Sequence, residues 1–172
     1  MNIFKDHMLR VGLLLAAFAI GATSLVVITE VQTHDKIIDN ERQTLLNAIN
    51  AVITQDSYNN EIITDTLLLA EQSELGTKEP TTVYRARNDN TPVAVALTAI
   101  APNGYNGKIK LLVGIAYDGS LTGVRVINHK ETPGLGDKID AKKADWIFSF
   151  NGLSLTQPQQ SMWKVKKDGG QF

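Results

Sequence analysis

The stretch "VGLLLAAFAIGATSLVVI", Val11 to Ile28, carries no charged residue. As a helix it would rise about 27 Å, close to the ~30 Å thickness of a bilayer's hydrocarbon layer. This run constrains the chain more than any other feature. A cleaved secretory signal is the competing reading, and Ala17, Ala19 and Ala22 offer the small residues it would need. The apolar region of such a signal typically runs only about 7–15 residues, however. We therefore read residues 11–29 as a retained transmembrane helix. Lys5 and Arg10 precede the span, whereas Glu30 and Asp35 follow it. The positive-inside bias then puts residues 1–10 in the cytoplasm and the rest of the chain outside that membrane, which in a bacterium is the periplasm.

Beyond the span, residues 30–60 read as a helical stalk. Leu45, Ile49 and Val52 recur at helical spacing, as do Leu46, Ile49 and Ile53, and "QDSYNN" from Gln55 ends the pattern. Ile62 to Ala70 is a further apolar segment, interrupted by Gly76 and Pro80. The middle of the chain then changes period. "TTVYRAR" from Thr81, "PVAVALTAI" from Pro92, "KIKLLVGIAY" from Lys108 and "LTGVRVINH" from Leu121 read as strands, rich in alternation and β-branched residues. Asp118-Gly119-Ser120 is a hairpin signal, because glycine accepts the positive φ of a tight turn, and Asn103-Gly104 with Asn106-Gly107 marks another turn around Tyr105. "AKKADWIFSF" from Ala141 sets Ala144, Ile147 and Phe148 at helical spacing, which predicts a short helix on the sheet. The expected fold is α+β: an N-terminal transmembrane helix, then a domain over residues 61–172 with an antiparallel sheet and flanking helices. Tyr105, Tyr117 and Trp146 are expected to pack, and His129 to end a strand.

Bulk properties exclude several functions. A net charge of −1, from 17 basic and 18 acidic residues, gives no broad cationic field for nucleic acid. With no cysteine, disulfides, thiolate metal sites and a cysteine nucleophile are ruled out. His7, His34 and His129 are scattered, so no metal site is expected. Ser57, His34 and Asp39 form no catalytic spacing, and no catalytic residue is identified.

One loop stands out: "HKETPGLGDKI", from His129 to Ile139. Proline presets φ, and the glycines allow close backbone approach, so the loop is either a plain turn or a surface where backbone amides meet a flat or anionic ligand with Leu135 on its face. "ETPGLGDKI", followed by "DWIFSF" and "WKVKKDGG", resembles the periplasmic flavin-binding G subunit (RnfG) of the Rnf (Rsx) ion-translocating oxidoreductases. It is similar, more distantly, to the related C subunit of the sodium-translocating NADH:quinone reductase. The resemblance covers the whole chain. It implies a single-pass inner-membrane protein whose periplasmic domain carries FMN. It further implies partner membrane, iron–sulfur and flavin subunits, and electron transfer of the ferredoxin/NAD type coupled to ion translocation.

By that resemblance the cofactor-binding residues are Glu131, Thr132, Gly134, Leu135, Gly136, Lys166 and Lys167. Glu131 and Thr132 would bond ring or ribityl groups, Leu135 would cover the ring, and the two lysines would favour its negative charge. The family attaches FMN as a phosphoester to the last threonine of a Ser/Thr-Gly-Ala-Thr motif placed shortly after the "KKDGG" equivalent. The sequence ends at Phe172 without that motif. Gly21-Ala22-Thr23-Ser24 is a chance match, since a flavin phosphate there would sit in hydrocarbon. A truncated product, a longer chain and a flavin-free structural or assembly subunit of the same complex all remain open.

Overall fold

The computed structural model describes residues 2–172; Met1 and the side chains of residues 2–6, Lys5 among them, lie outside the described residues. Helix α1 spans Asn2–Asn50 without interruption. The sequence permits this, because its first proline is Pro80. Among the described residues α1 is the one helix long and apolar enough to cross a membrane, by length and composition. Leu13, Leu15, Phe18, Ile20 and Leu25 on it are exposed. The Thr29 and Thr33 hydroxyls donate back to the carbonyls of Leu25 and Thr29, both at 2.8 Å, so each hydroxyl is satisfied within its own helix. The chain divides into two compact units, Met1–Thr44 and Leu45–Phe172.

The second unit is built on a five-stranded antiparallel sheet in chain order: β1 Thr66–Leu69, β2 Thr81–Asn88, β3 Thr91–Gly104, β4 Gly107–Ala116 and β5 Leu121–Asn128. The alternating segments read from the sequence correspond to β2 through β5. The segment Ile62 to Ala70, read only as apolar, contributes the edge strand β1, with Leu67 and Leu68 exposed. Three tight turns join β2 to β5. Asp89 and Asn90 turn β2 into β3 with φ of 47° and 66°, the left-handed pair that suits a two-residue hairpin. Gly104 pairs with Gly107 around Tyr105 and Asn106. At Asp118, the Ser120 hydroxyl and N–H both donate to Oδ1, at 2.7 and 2.9 Å, and hold its carboxyl below the usual range.

The register explains why the two faces of the sheet differ. Tyr84, Ala96, Gly114 and Gly123 form one cross-strand rung, and Ala86, Ala94 and Ala116 form the next on the same face. On this floor, small apart from Tyr84, pack Ile49, Val52, Ile53 and Ile62, each at most 2% exposed. The approach is too close for a larger residue. A Cβ on Gly114 would lie 2.6 Å from the Val52 carbonyl oxygen, and one on Gly123 would lie 2.9 Å from Val52 Cα. The opposite face carries Val83, Leu97, Val113 and Val124 along one rung. It is covered by loops and short turns from the last third of the chain, with Ile147 buried against it.

Two expectations are corrected here. The segment from Ala141 is not an α-helix but a 3-10 turn over Asp145–Phe150. The Lys143 and Ala144 N–H groups close a turn on the Asp140 carbonyl, and Ala144 is extended (φ −159°), so no helix propagates from 141. In the three-residue repeat Ile147 and Phe150 eclipse one another, whereas a 3.6-residue helix would set them about 60° apart on one face. Tyr105 and Tyr117 do not pack: they sit at hairpin tips, 93% and 80% exposed.

Ile53→Ala should lower the unfolding free energy of the domain by about 2–5 kcal/mol, read as a shifted denaturant midpoint with unchanged m-value. Gly123→Val should cost about 1–3 kcal/mol through overpacking against Val52, although it adds buried carbon.

Candidate functional site

The loop after β5 folds around a single carbonyl. The Thr132 oxygen accepts from the N–H groups of Leu135, Gly136 and Asp137, at 3.1, 3.0 and 3.4 Å. The remaining amide, that of Gly134, donates to Asp137 Oδ1 at 2.8 Å. Asp137 is buried, with Lys143 Nζ 4.0 Å from its other oxygen. Upstream, His129 Nδ1 accepts from the Glu131 N–H at 3.1 Å, so His129 ends the strand by shaping the loop.

The tip of the β3–β4 hairpin is clasped to this loop. The Asn106 backbone N–H donates to Glu131 Oε1 at 3.2 Å, and the Asn106 side-chain amide donates to Thr132 Oγ1 at 2.9 Å. Glu131 is packed tightly between two glycines. A Cβ on Gly136 would stand 2.9 Å from the Glu131 side chain, and one on Gly104 would stand 2.8 Å from Glu131 Oε1. Gly134 is glycine for a different reason: its φ is +79°, and the space beside it is open. Leu135, next to that opening, is 77% exposed.

Five of the residues chosen from the sequence, Glu131, Thr132, Gly134, Leu135 and Gly136, therefore lie in one ordered loop. Lys166 and Lys167 lie elsewhere, on an exposed 3-10 turn over Lys166–Asp168. No hydrogen bond or ion pair joins either lysine to the loop among the described residues. The expected role of the backbone amides is also revised, since the amides of residues 134–137 are all used inside the turn. What the loop presents outward is the Leu135 side chain, the open side of Gly134 and the Thr132 hydroxyl, whose oxygen accepts from Asn106 and whose own hydrogen remains to donate. An exposed apolar side chain beside an open glycine suits one face of a flat ring system such as a flavin. Asn106 and Asp137 were missed in the sequence reading. The turn signal at Asn106-Gly107 marked the first without its partner, and nothing in the spacing marks the second as buried.

A second concavity, of about 300 Å³, lies between the large-residue face of the sheet and the C-terminal turns. Its walls are apolar and include Trp146, Ile147, Phe150 and Trp163. Trp146 meets Phe150 edge-on at 5.1 Å, and Phe150 stacks on Phe172 at 4.6 Å. Trp146 is 40% exposed, at the rim rather than in a core as expected. The buried Trp163 Nε1 has no hydrogen-bond partner. The Arg125 guanidinium stands 4.4 Å from the Phe148 ring centroid, and burial draws its pKa down. Among the described residues no cluster of His, Asp and Glu has the makings of a metal site.

Two family models match the chain: one described as the RnfG N-terminal region over residues 1–52, and one described as an FMN-binding domain over residues 104–172. The chain is 45% identical to the G subunit of the ion-translocating oxidoreductase complex of Pseudoalteromonas atlantica, over 98% of its own length and 78% of that protein. It is 48% identical to the corresponding G subunit of Vibrio atlanticus and 47% identical to that of Vibrio cholerae, over 94% of its length and 77% of each relative.

Asp137→Ala should leave the Gly134 N–H without its acceptor. Faster hydrogen exchange at residues 134–137 and a loss of about 1–3 kcal/mol in local stability are expected, with the sheet amides unchanged.

Proposed function

The chain belongs to the RnfG family, the G subunits of ion-translocating oxidoreductase complexes, and from that premise we propose that it is the FMN-carrying electron-transfer subunit of such a complex. In this reading the complex couples electron transfer of the ferredoxin/NAD type to ion movement across the bacterial inner membrane. Residues 1–10 are cytoplasmic, residues 11–29 cross the bilayer and a helical stalk follows; the periplasmic flavin domain starts at Leu45, where the second compact unit begins, rather than at residue 61 as read from the sequence. Other membrane, iron–sulfur and flavin subunits are its partners. Arg10 before the span and Glu30 and Asp35 after it support the orientation.

The observation that carries the flavin assignment is the preformed loop at residues 131–137, within the segment matched by the FMN-binding family. FMN bound there would supply electron transfer. Leu135 would lie against the ring, the Thr132 hydroxyl would donate to a ring or ribityl oxygen, and Glu131 would hold the hairpin tip through Asn106. Gly134 and Gly136 let the loop keep this shape.

A flavin-free bracing or assembly subunit is the second reading. It is favoured by the closed hydrogen bonding of the loop, in which the amides of residues 134–137 have partners without any ligand. Intact mass and in-gel flavin fluorescence of the protein purified from its own membranes separate the two. A fluorescent adduct with the mass of FMN supports the electron carrier. Co-purification with other subunits but without flavin would sink that reading and favour the second. In the flavin-loaded form, Gly134→Val should reduce flavin content several-fold, because a β-branched residue at φ +79° forces the loop to rearrange. Unchanged flavin content and spectrum in that variant would move the site elsewhere.

A further inference from the structure

The sheet face that seats Ile49 and Ile53 changes character beyond Thr98. Along the register Ile100 pairs with Lys110, and Lys110 with Asn128, so the floor of small residues gives way to cationic and polar groups. Two open concavities lie there, of about 540 and 470 Å³, and they share Ile100, Lys108 and Lys110. Lys78 lines the first and Lys130 the second, which makes a continuous groove. All four lysines are exposed. Among the described residues none of them is in an ion pair, and Glu79 is the one carboxylate in the walls. In a chain whose net charge is −1, this is a local cationic surplus that nothing within the domain neutralises.

Geometry indicates the form of the ligand. Lys108 and Lys110 are two residues apart on β4 and project from one face, roughly 6.7 Å apart along the strand. Alternate side chains of an extended polypeptide repeat at the same distance. The groove is long and open, with cations distributed along it rather than converging on one point, which suits a run of carboxylates better than a single small anion. We propose that this groove binds an extended acidic segment of another subunit of the complex. The proposal rests on the reading of the chain as a subunit; its lysines are not among the residues 131–136 assigned to flavin, although the groove adjoins that loop at Asn106 and Lys130.

Zero-length carbodiimide coupling joins an amine to a carboxylate, so it reads this contact directly in the complex held in its native membranes. Amide links from Lys108 and Lys110 to aspartate or glutamate of another subunit are expected in the peptide mass spectra. A Lys108→Glu/Lys110→Glu chain, with native melting and flavin content, should be retained about tenfold less in the purified complex at low ionic strength. The Lys108→Gln/Lys110→Gln chain should fall between the two. Links confined to this chain, or native retention and salt dependence of the charge-reversed chain, would overturn the proposal. Weakened binding to anionic phospholipid vesicles with unchanged subunit retention would overturn it in favour of a lipid surface. If even the native chain purifies with no other subunit, the subunit reading fails and the groove assignment with it; native retention that the variants leave unmoved removes the groove assignment alone.

Discussion

The close approach of the Val52 backbone to the paired glycines 114 and 123 is the constraint on which the domain depends. It requires a sheet face without bulk at its centre, and Ala86, Ala94 and Ala96 extend that flat floor. Aliphatic burial is then concentrated on the side of residues 49–53, where Ile49 and Ile53 fill the space above the floor. Residues 45–50 are thus the end of α1 and, in the same turns, part of the core of the second unit. A chain that leaves a long apolar helix needs no separate element to cover this face. The seat itself supplies the cover.

Most large apolar side chains of the sheet are left to the other face, and there the packing is looser. Valines and leucines of β3 to β5 meet rings carried on short turns rather than on a regular helix, and a concavity of about 300 Å³ stays between them. The ordered loop lies at a third place, where the hairpin tip at Asn106 is tied to Glu131 and Thr132. Each surface therefore has its own physical basis: close backbone approach, aromatic contact, and a closed set of hydrogen bonds.

Much of this is legible in the sequence because it depends on period and punctuation. The uncharged run from Val11, the alternation in β2 to β5 and the turn at Asp118-Gly119 are all local signals. What was missed leaves no periodic signal in the sequence. β1 shows no alternation, since Leu67 and Leu68 are both exposed on an edge. Ile147 and Phe150 are three residues apart, a spacing shared by 3-10 and α-helices, so nothing local shows that the chain before Asp145 is extended at Ala144 and that only a short 3-10 turn forms. Tyr105 and Tyr117 look like core residues by type but stand at turn tips, where nothing packs. Within the loop, the glycines and Leu135 were readable as a group. The buried carboxylate of Asp137 was not, because nothing in the spacing tells an aspartate that accepts from a loop amide from one that stays in water.

The closed hydrogen bonding of residues 132–137 bears on the thermodynamics of recognition. A loop whose amides already have acceptors is ordered when the domain folds, so a ligand arriving there does not have to immobilise it. The entropy that a floppy loop would lose on association has been lost beforehand. Association at such a surface proceeds close to rigid-body docking, and changes in affinity are expressed chiefly in residence time rather than in the rate of encounter.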